Sequence, residues 1–134
     1  MAARFLLDSD ICVYALSGHH PKILRTLDRK LPGQVVVSVI ALGELLDGAE
    51  RSADGRAAKQ RIAALTSVAE VLPLPAAAAE HYGAIRAELE RRGNPIGPND
   101  LWIAAHAMAE SLILVTNNQR EFKRVKGLKV ENWA

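Results

Sequence analysis

A chain of 134 residues, 49% hydrophobic and 24% charged, is long enough to bury one core and too apolar to remain disordered. Its formal net charge of +2 is too small to signal nucleic-acid binding through composition, so charge must be sought in its distribution. The single cysteine, Cys12, excludes an intrachain disulfide, and no apolar run approaches the roughly 18 residues of a membrane span. With no leader ahead of the first apolar run, the expectation is one cytoplasmic domain over residues 1–134.

Phe5-Leu6-Leu7 is a short apolar run that breaks into Asp8-Ser9-Asp10. It reads as a buried parallel strand that delivers Asp8 at its carboxyl end, where open α/β sheets bind ligands. Ile11 to Leu16 follows as a short helix stopping near Gly18, and Pro21 opens a second helix running to about Leu31. Pro32-Gly33 punctuates, and the β-branched run Gln34 to Ser38 is a second strand. Ser38 is placed to cap a helix from Val39 to about Arg51, on which Glu44 shares a face with Ile40, Ala41 and Gly48. After Asp54-Gly55 a further helix runs from Arg56 to about Ser67. Glu70 to Leu74 is a third, weaker strand, with Pro73 marking a strand end or a sheet edge.

Ala76 to Arg92 carries an apolar stripe of Ala78, Tyr82, Ile85 and Leu89, and Gly93 ends this helix. Asn94 to Asn99 is a rigid loop, and Asp100 opens a helix from Leu101 to about Glu110. Leu112 to Thr116 is the fourth strand, Asn117-Asn118 turns into a short helix through Phe122, and Leu128 to Glu131 is a last strand. Strands alternate with helices throughout, which predicts an α/β fold with a mostly parallel sheet.

That topology brings Asp8, Glu44, Asp100, Thr116 and Glu121 to one edge. Carboxylates within about 4 Å repel by about 4 kcal/mol per pair at an effective dielectric of 20, so a cluster requires a cation or protonation. Oxygen ligands without a His or Cys set suit Mg2+ or Mn2+ rather than zinc. Each residue also has a plainer role: Asp8, Asp10 and Asp100 as helix caps, Glu44 as a partly exposed helix glutamate, Glu121 in ion pairs with Arg120, Lys123 or Arg124, and Thr116 as a strand-end hydroxyl. Histidines 19, 20, 81 and 106 form no spaced ligand pair, Cys12 reads as inert core, and Trp102 and Trp133 read as packing residues. Between Asn117 and Lys129, Arg120, Lys123, Arg124, Lys126 and Lys129 face only Glu121 as an acid. The stretch starts directly after the acid cluster and is placed to hold RNA phosphates, or else forms a solvated basic face.

Taken together, these segments resemble the PIN-domain ribonucleases, and closely the VapC toxins of bacterial toxin–antitoxin pairs. The resemblance is carried by Phe5 to Cys12, Ser38 to Leu45 with Gly48-Ala49-Glu50, Ile85 to Leu89, Gly93 to Asp100 with Ile103 to Ala107, Val115 to Asn118 with Glu121-Phe122, and Glu131-Asn132-Trp133. It implies a three-layer α/β/α sandwich and Mg2+-dependent endonucleolytic cleavage of structured RNA of the translation machinery, such as a tRNA anticodon loop. The family's acids map onto Asp8, Glu44 and Asp100. Ser9 stands where the family usually has Thr, and Asn118 where many relatives have an acid, with Glu121 as the replacement fourth carboxylate. The resemblance further implies a VapB-type antitoxin partner, a homodimer and a larger toxin–antitoxin complex.

Other readings of the residues are a PIN domain that binds RNA or antitoxin without cleaving, a haloacid-dehalogenase-like phosphatase with Asp8 as nucleophile, and a receiver-like signalling domain. The phosphatase lacks its late acid pair, since Thr116-Asn117-Asn118 follows strand four. The receiver lacks a phosphoacceptor, since Pro73-Leu74-Pro75 stands at the end of strand three.

Overall fold

Phe5–Leu7 (β1), apolar and buried throughout, is flanked by a strand on each side in the computed structural model, which describes residues 2–134. It pairs in parallel with Val35–Ser38 (β2) on one side and Ile113–Val115 (β4) on the other. Glu70–Leu72 (β3) and Val130–Glu131 (β5) complete a five-stranded parallel sheet in the order β3-β2-β1-β4-β5. Strand β3 lies at the edge, as Pro73 predicts, because a residue without an N–H ends the ladder there.

Helices cover the sheet: Ser9–Ser17 (α1), Pro21–Asp28 (α2), Val39–Glu50 (α3), Gly55–Val68 (α4), Ala78–Arg91 (α5), Pro98–Ala109 (α6) and Gln119–Phe122 (α7). This is the α/β/α arrangement expected from the alternating pattern. Gly18, at φ 74°, caps α1 in a left-handed conformation that a side chain would resist. Ser38 Oγ accepts the Ile40 N–H at 3.1 Å and starts α3 where the sequence places it.

Two boundaries differ from expectation by three residues. Helix α2 stops at Asp28 rather than Leu31, because Gln34 draws the chain into a turn: its side chain accepts the Leu31 N–H at 3.0 Å and its own N–H reaches Leu31 O at 3.1 Å. Helix α6 begins at Pro98, so Asp100 lies inside its first turn and is not its cap. The core is aliphatic, with Leu6, Leu7, Ile11, Val37, Ile103, Leu114 and Phe122 fully buried. Cys12 is buried among them, its thiol pushed up to about 12 by burial first and then by the charges of Asp8 and Asp10, which leaves it inert. Among the described residues no helix is long and apolar enough to cross a membrane.

Candidate active site

Register aligns three strand ends. Leu7 lies opposite both Val37 and Val115, so the next residues, Asp8, Ser38 and Thr116, come level at the carboxyl rim of the sheet. All three are buried, and His106 is the only other buried polar side chain among the described residues.

Asp8 is anchored from both sides. Its Oδ1 accepts the Ser9 N–H at 2.8 Å and its Oδ2 accepts the Thr116 hydroxyl at 2.9 Å. It therefore caps α1 with one oxygen while the other meets Thr116 at the carboxyl rim of the sheet. Thr116 Oγ1 also accepts the Asn118 N–H at 3.0 Å and lies 3.4 Å from Asp10 Oδ2. Asp10 belongs to this group, although sequence reasoning kept it as a cap. Its Oδ1 accepts the Ile11 N–H at 2.7 Å, and its Oδ2 accepts the Asn117 N–H at 3.1 Å from across the sheet. The signal was its position in the first helical turn two residues after Asp8, which returns its carboxylate to the same edge.

These acids share one field. Burial, followed by the neighbouring Asp10 carboxylate, raises the Asp8 pKa to about 6, with the hydrogen bonds from Thr116 and Ser9 opposing and Glu44 adding to the rise. Asp10 is also raised, chiefly by burial. Asp100 is pushed up to about 7, first by burial, then by the charges of Asp8, Glu121 and Glu44, and finally by a hydrogen bond with the Glu121 carboxyl.

Glu121 is held by partners the sequence did not suggest. Its Oε1 accepts the N–H of Gly97, the residue that starts α6, at 3.3 Å, and its Oε2 accepts the Asn118 side-chain amide. Asn118 and Glu121 thus act together, and the expected ion pairs of Glu121 with Arg120, Lys123 or Arg124 are absent among the described residues. Arg124 instead donates to Pro95 O at 3.0 Å, and its own carbonyl accepts from Arg92 at 2.6 Å. Lys126 Nζ stands 3.5 Å from Glu88 Oε1. Of the basic residues expected at RNA phosphates, Arg124 is therefore bonded within the chain and Lys126 pairs with Glu88 at the surface, whereas Arg120 and Lys123 are exposed and make no ion pair among the described residues.

Glu44 supplies the test of whether a cation fits. Its Oε1 is buried and has no hydrogen-bond partner, and an unsatisfied buried acceptor is costly. An all-oxygen donor set with one orphaned oxygen suits a hard divalent cation. Among the described residues no three His, Cys, Asp or Glu side chains form a ready-made cage. Mg2+ keeps several of its own waters in such sites, so it does not require a closed cage of side chains. Trp102 stacks on Tyr82 with centroids 4.0 Å apart and Trp133 packs edge-on to Phe5 at 5.2 Å, the packing roles expected of them.

A family model described as PIN domain matches residues 5–128. The chain belongs to the PIN-domain family. Within that family it groups with the VapC ribonucleases: it is 43% identical over 131 residues to the tRNA(fMet)-specific endonuclease VapC of Shigella flexneri, with 98% of each chain covered. The PIN domain also superposes on the crystal structure of DNA-bound VapBC from Salmonella typhimurium with a TM-score of 0.93, 37% identity and 98% and 99% of the two chains covered. Against VapBC2 from Rickettsia felis bound to a promoter DNA fragment, the TM-score is 0.90 at 36% identity, with 100% of both chains covered. The phosphatase and receiver readings are set aside on this ground.

The Asn118 contact carries a prediction. Asn118→Ala releases the Glu121 carboxylate while leaving the core intact. The expected result is RNA cleavage slowed by about 10-fold, the scale of losing a partner that orients a carboxylate at the site, with the melting temperature within a degree or two of wild type. Steady-state cleavage kinetics beside a thermal melt check it.

Proposed function

We propose that this chain is a divalent-cation-dependent endoribonuclease that cuts tRNA and serves as the toxin of a toxin–antitoxin pair. The single observation that carries the metal-dependent part is the buried, unpartnered Glu44 oxygen, whose carboxylate lies in the field of both Asp8 and Asp100. The substrate is supported by the 43% identical relative, whose name specifies tRNA(fMet). The partner, a VapB-type antitoxin, is supported by the two VapBC complexes on which the fold superposes; a toxin homodimer within a larger complex belongs to the same proposal.

Asp8, Glu44 and Asp100 would hold Mg2+ or Mn2+. When bound, the cation supplies an acidified water and neutralises charge on the scissile phosphate. The chain's own residues do the rest. Thr116 fixes the Asp8 carboxylate through its hydroxyl, and the Asn117 N–H fixes Asp10. Asp100 or Glu121 orients a water and accepts its proton. Arg120 and Lys123, exposed beside the rim, hold backbone phosphates.

Attack by water leaves 5′-phosphate and 3′-hydroxyl ends. Incubation of the protein with total tRNA in Mg2+ is expected to yield such ends, and EDTA is expected to stop the reaction. Products ending in 2′,3′-cyclic phosphate, or cleavage undiminished in EDTA, would overturn the mechanism.

A further inference from the structure

Of the four buried polar side chains at the rim, Asp8 and Thr116 are accounted for by the acid site, whereas Ser38 and His106 are not. They meet each other: His106 Nδ1 lies 3.0 Å from Ser38 Oγ in a fully buried contact. Ser38 Oγ already accepts the Ile40 N–H, so its hydroxyl hydrogen is available to donate. Burial holds the imidazole below its ordinary pKa, which keeps the ring neutral with one protonated nitrogen. Nε2 makes no hydrogen bond, but Glu110 Oε2 stands 4.0 Å from it. A carboxylate on that side favours the proton on Nε2, leaving Nδ1 to accept from Ser38; this tautomer is assigned from the network.

The location of the contact gives it a consequence. Ser38 starts α3, six residues before Glu44, and His106 lies on α6, six residues after Asp100. Among the described residues theirs is the only side-chain hydrogen bond between α3 with its cap and α6. Glu44 and Asp100 repel, and the apolar packing that α3 and α6 share in the core is not directional. The buried polar pair is directional, because a shift leaves both groups unsatisfied.

We propose that Ser38 and His106 are positioning residues: their buried hydrogen bond locks the helix carrying Glu44 to the helix carrying Asp100 and so sets the spacing of the two acids toward a shared divalent cation. The inference rests on the metal-site reading above. Apolar side chains of similar size would fill the same space, yet would not select one register between the helices.

The test is Mn2+ binding to the full chain, measured by electron paramagnetic resonance of free Mn2+ well below the melting temperature. An Asn side chain presents its amide near the imidazole Nδ1 position, and a Gln side chain near Nε2. His106→Asn is therefore expected to keep Mn2+ affinity within about 3-fold of wild type, whereas His106→Gln and His106→Leu weaken it by about 10-fold. Ser38→Thr should keep it, and adding Ser38→Ala to His106→Leu should weaken it no further. Should the Leu variant fail to fold, the Asn and Gln variants, matched in polarity, still decide. Equal Mn2+ affinity in His106→Asn and His106→Gln, whatever their melting temperatures, overturns the proposal and leaves the pair as packing alone. No Mn2+ binding by wild type overturns the metal-site reading itself, and this inference with it.

Discussion

Asp8→Asn is expected to lower RNA cleavage by at least about 10³-fold, a loss of roughly 4 kcal/mol of transition-state stabilisation, while the fold is kept and the metal-free protein becomes harder to melt. The two halves have one cause. Asp8 is 4% exposed and sits among Asp10, Glu44 and Asp100, a place where a negative charge is tolerated only for what it binds. An amide is nearly isosteric and its oxygen still accepts the Thr116 hydroxyl, so the hydrogen bond that joins β1 to β4 survives. The Ser9 N–H loses its acceptor, at a cost of about 1 kcal/mol. Against this, holding the Asp8 carboxylate ionised at pH 8 costs about 3 kcal/mol, since its pKa stands at about 6 rather than 3.8. The balance favours the variant in the absence of metal. Cleavage assays on tRNA and melts in EDTA check both halves, and induced expression checks the toxin role, because wild type alone should arrest growth. Arrest by both proteins would point instead to a PIN domain that acts by binding without cleaving.

Raising the pH is expected to destabilise the metal-free protein. Asp8 and Asp100 have folded-state pKa values of about 6 and about 7, above the ordinary 3.8. Between those limits the folded state keeps protons that the unfolded chain has released. The stability these two groups contribute is full below pH 4 and is lost as the pH climbs through 6 and 7. Asp8 accounts for about 3 kcal/mol; Asp100 is half-buried and contributes less than its shift implies, because solvent screens it. In EDTA the melting temperature should therefore fall by roughly 5–10 °C from pH 5 to pH 8. Saturating Mn2+ at pH 8 should restore most of that loss, since a ligand bound only to the folded state stabilises it. Asp8→Asn should flatten the pH dependence. A melting temperature that rises with pH in EDTA would show that the acids do not burden one another.

Much of the fold was legible because its signals are local. The apolar run ending at Asp8, the β-branched Gln34 to Ser38 segment, the Ser38 cap and the edge strand before Pro73 each follow from a few neighbouring residues and the geometry they impose. Strand alternation with helices then leaves few topologies, and Asp8 lands at a strand's carboxyl end in any of them. What local signals did not convey was who meets whom across the rim. Asp10 and Thr116 come together only because β4 inserts next to β1 in a fixed register. Glu121 turns to Gly97 and Asn118 instead of the basic residues beside it, and Arg124 and Lys126 are drawn back to Pro95 and Glu88, because the segment after β4 folds over the start of α6 and the end of α5. His106 looked like any packed helix residue until Ser38, 68 positions away, met its ring. The amino-acid order alone determined the elements, the class of fold and the acids; strand order and register, which join residues far apart in the chain, decided their partners and charge states.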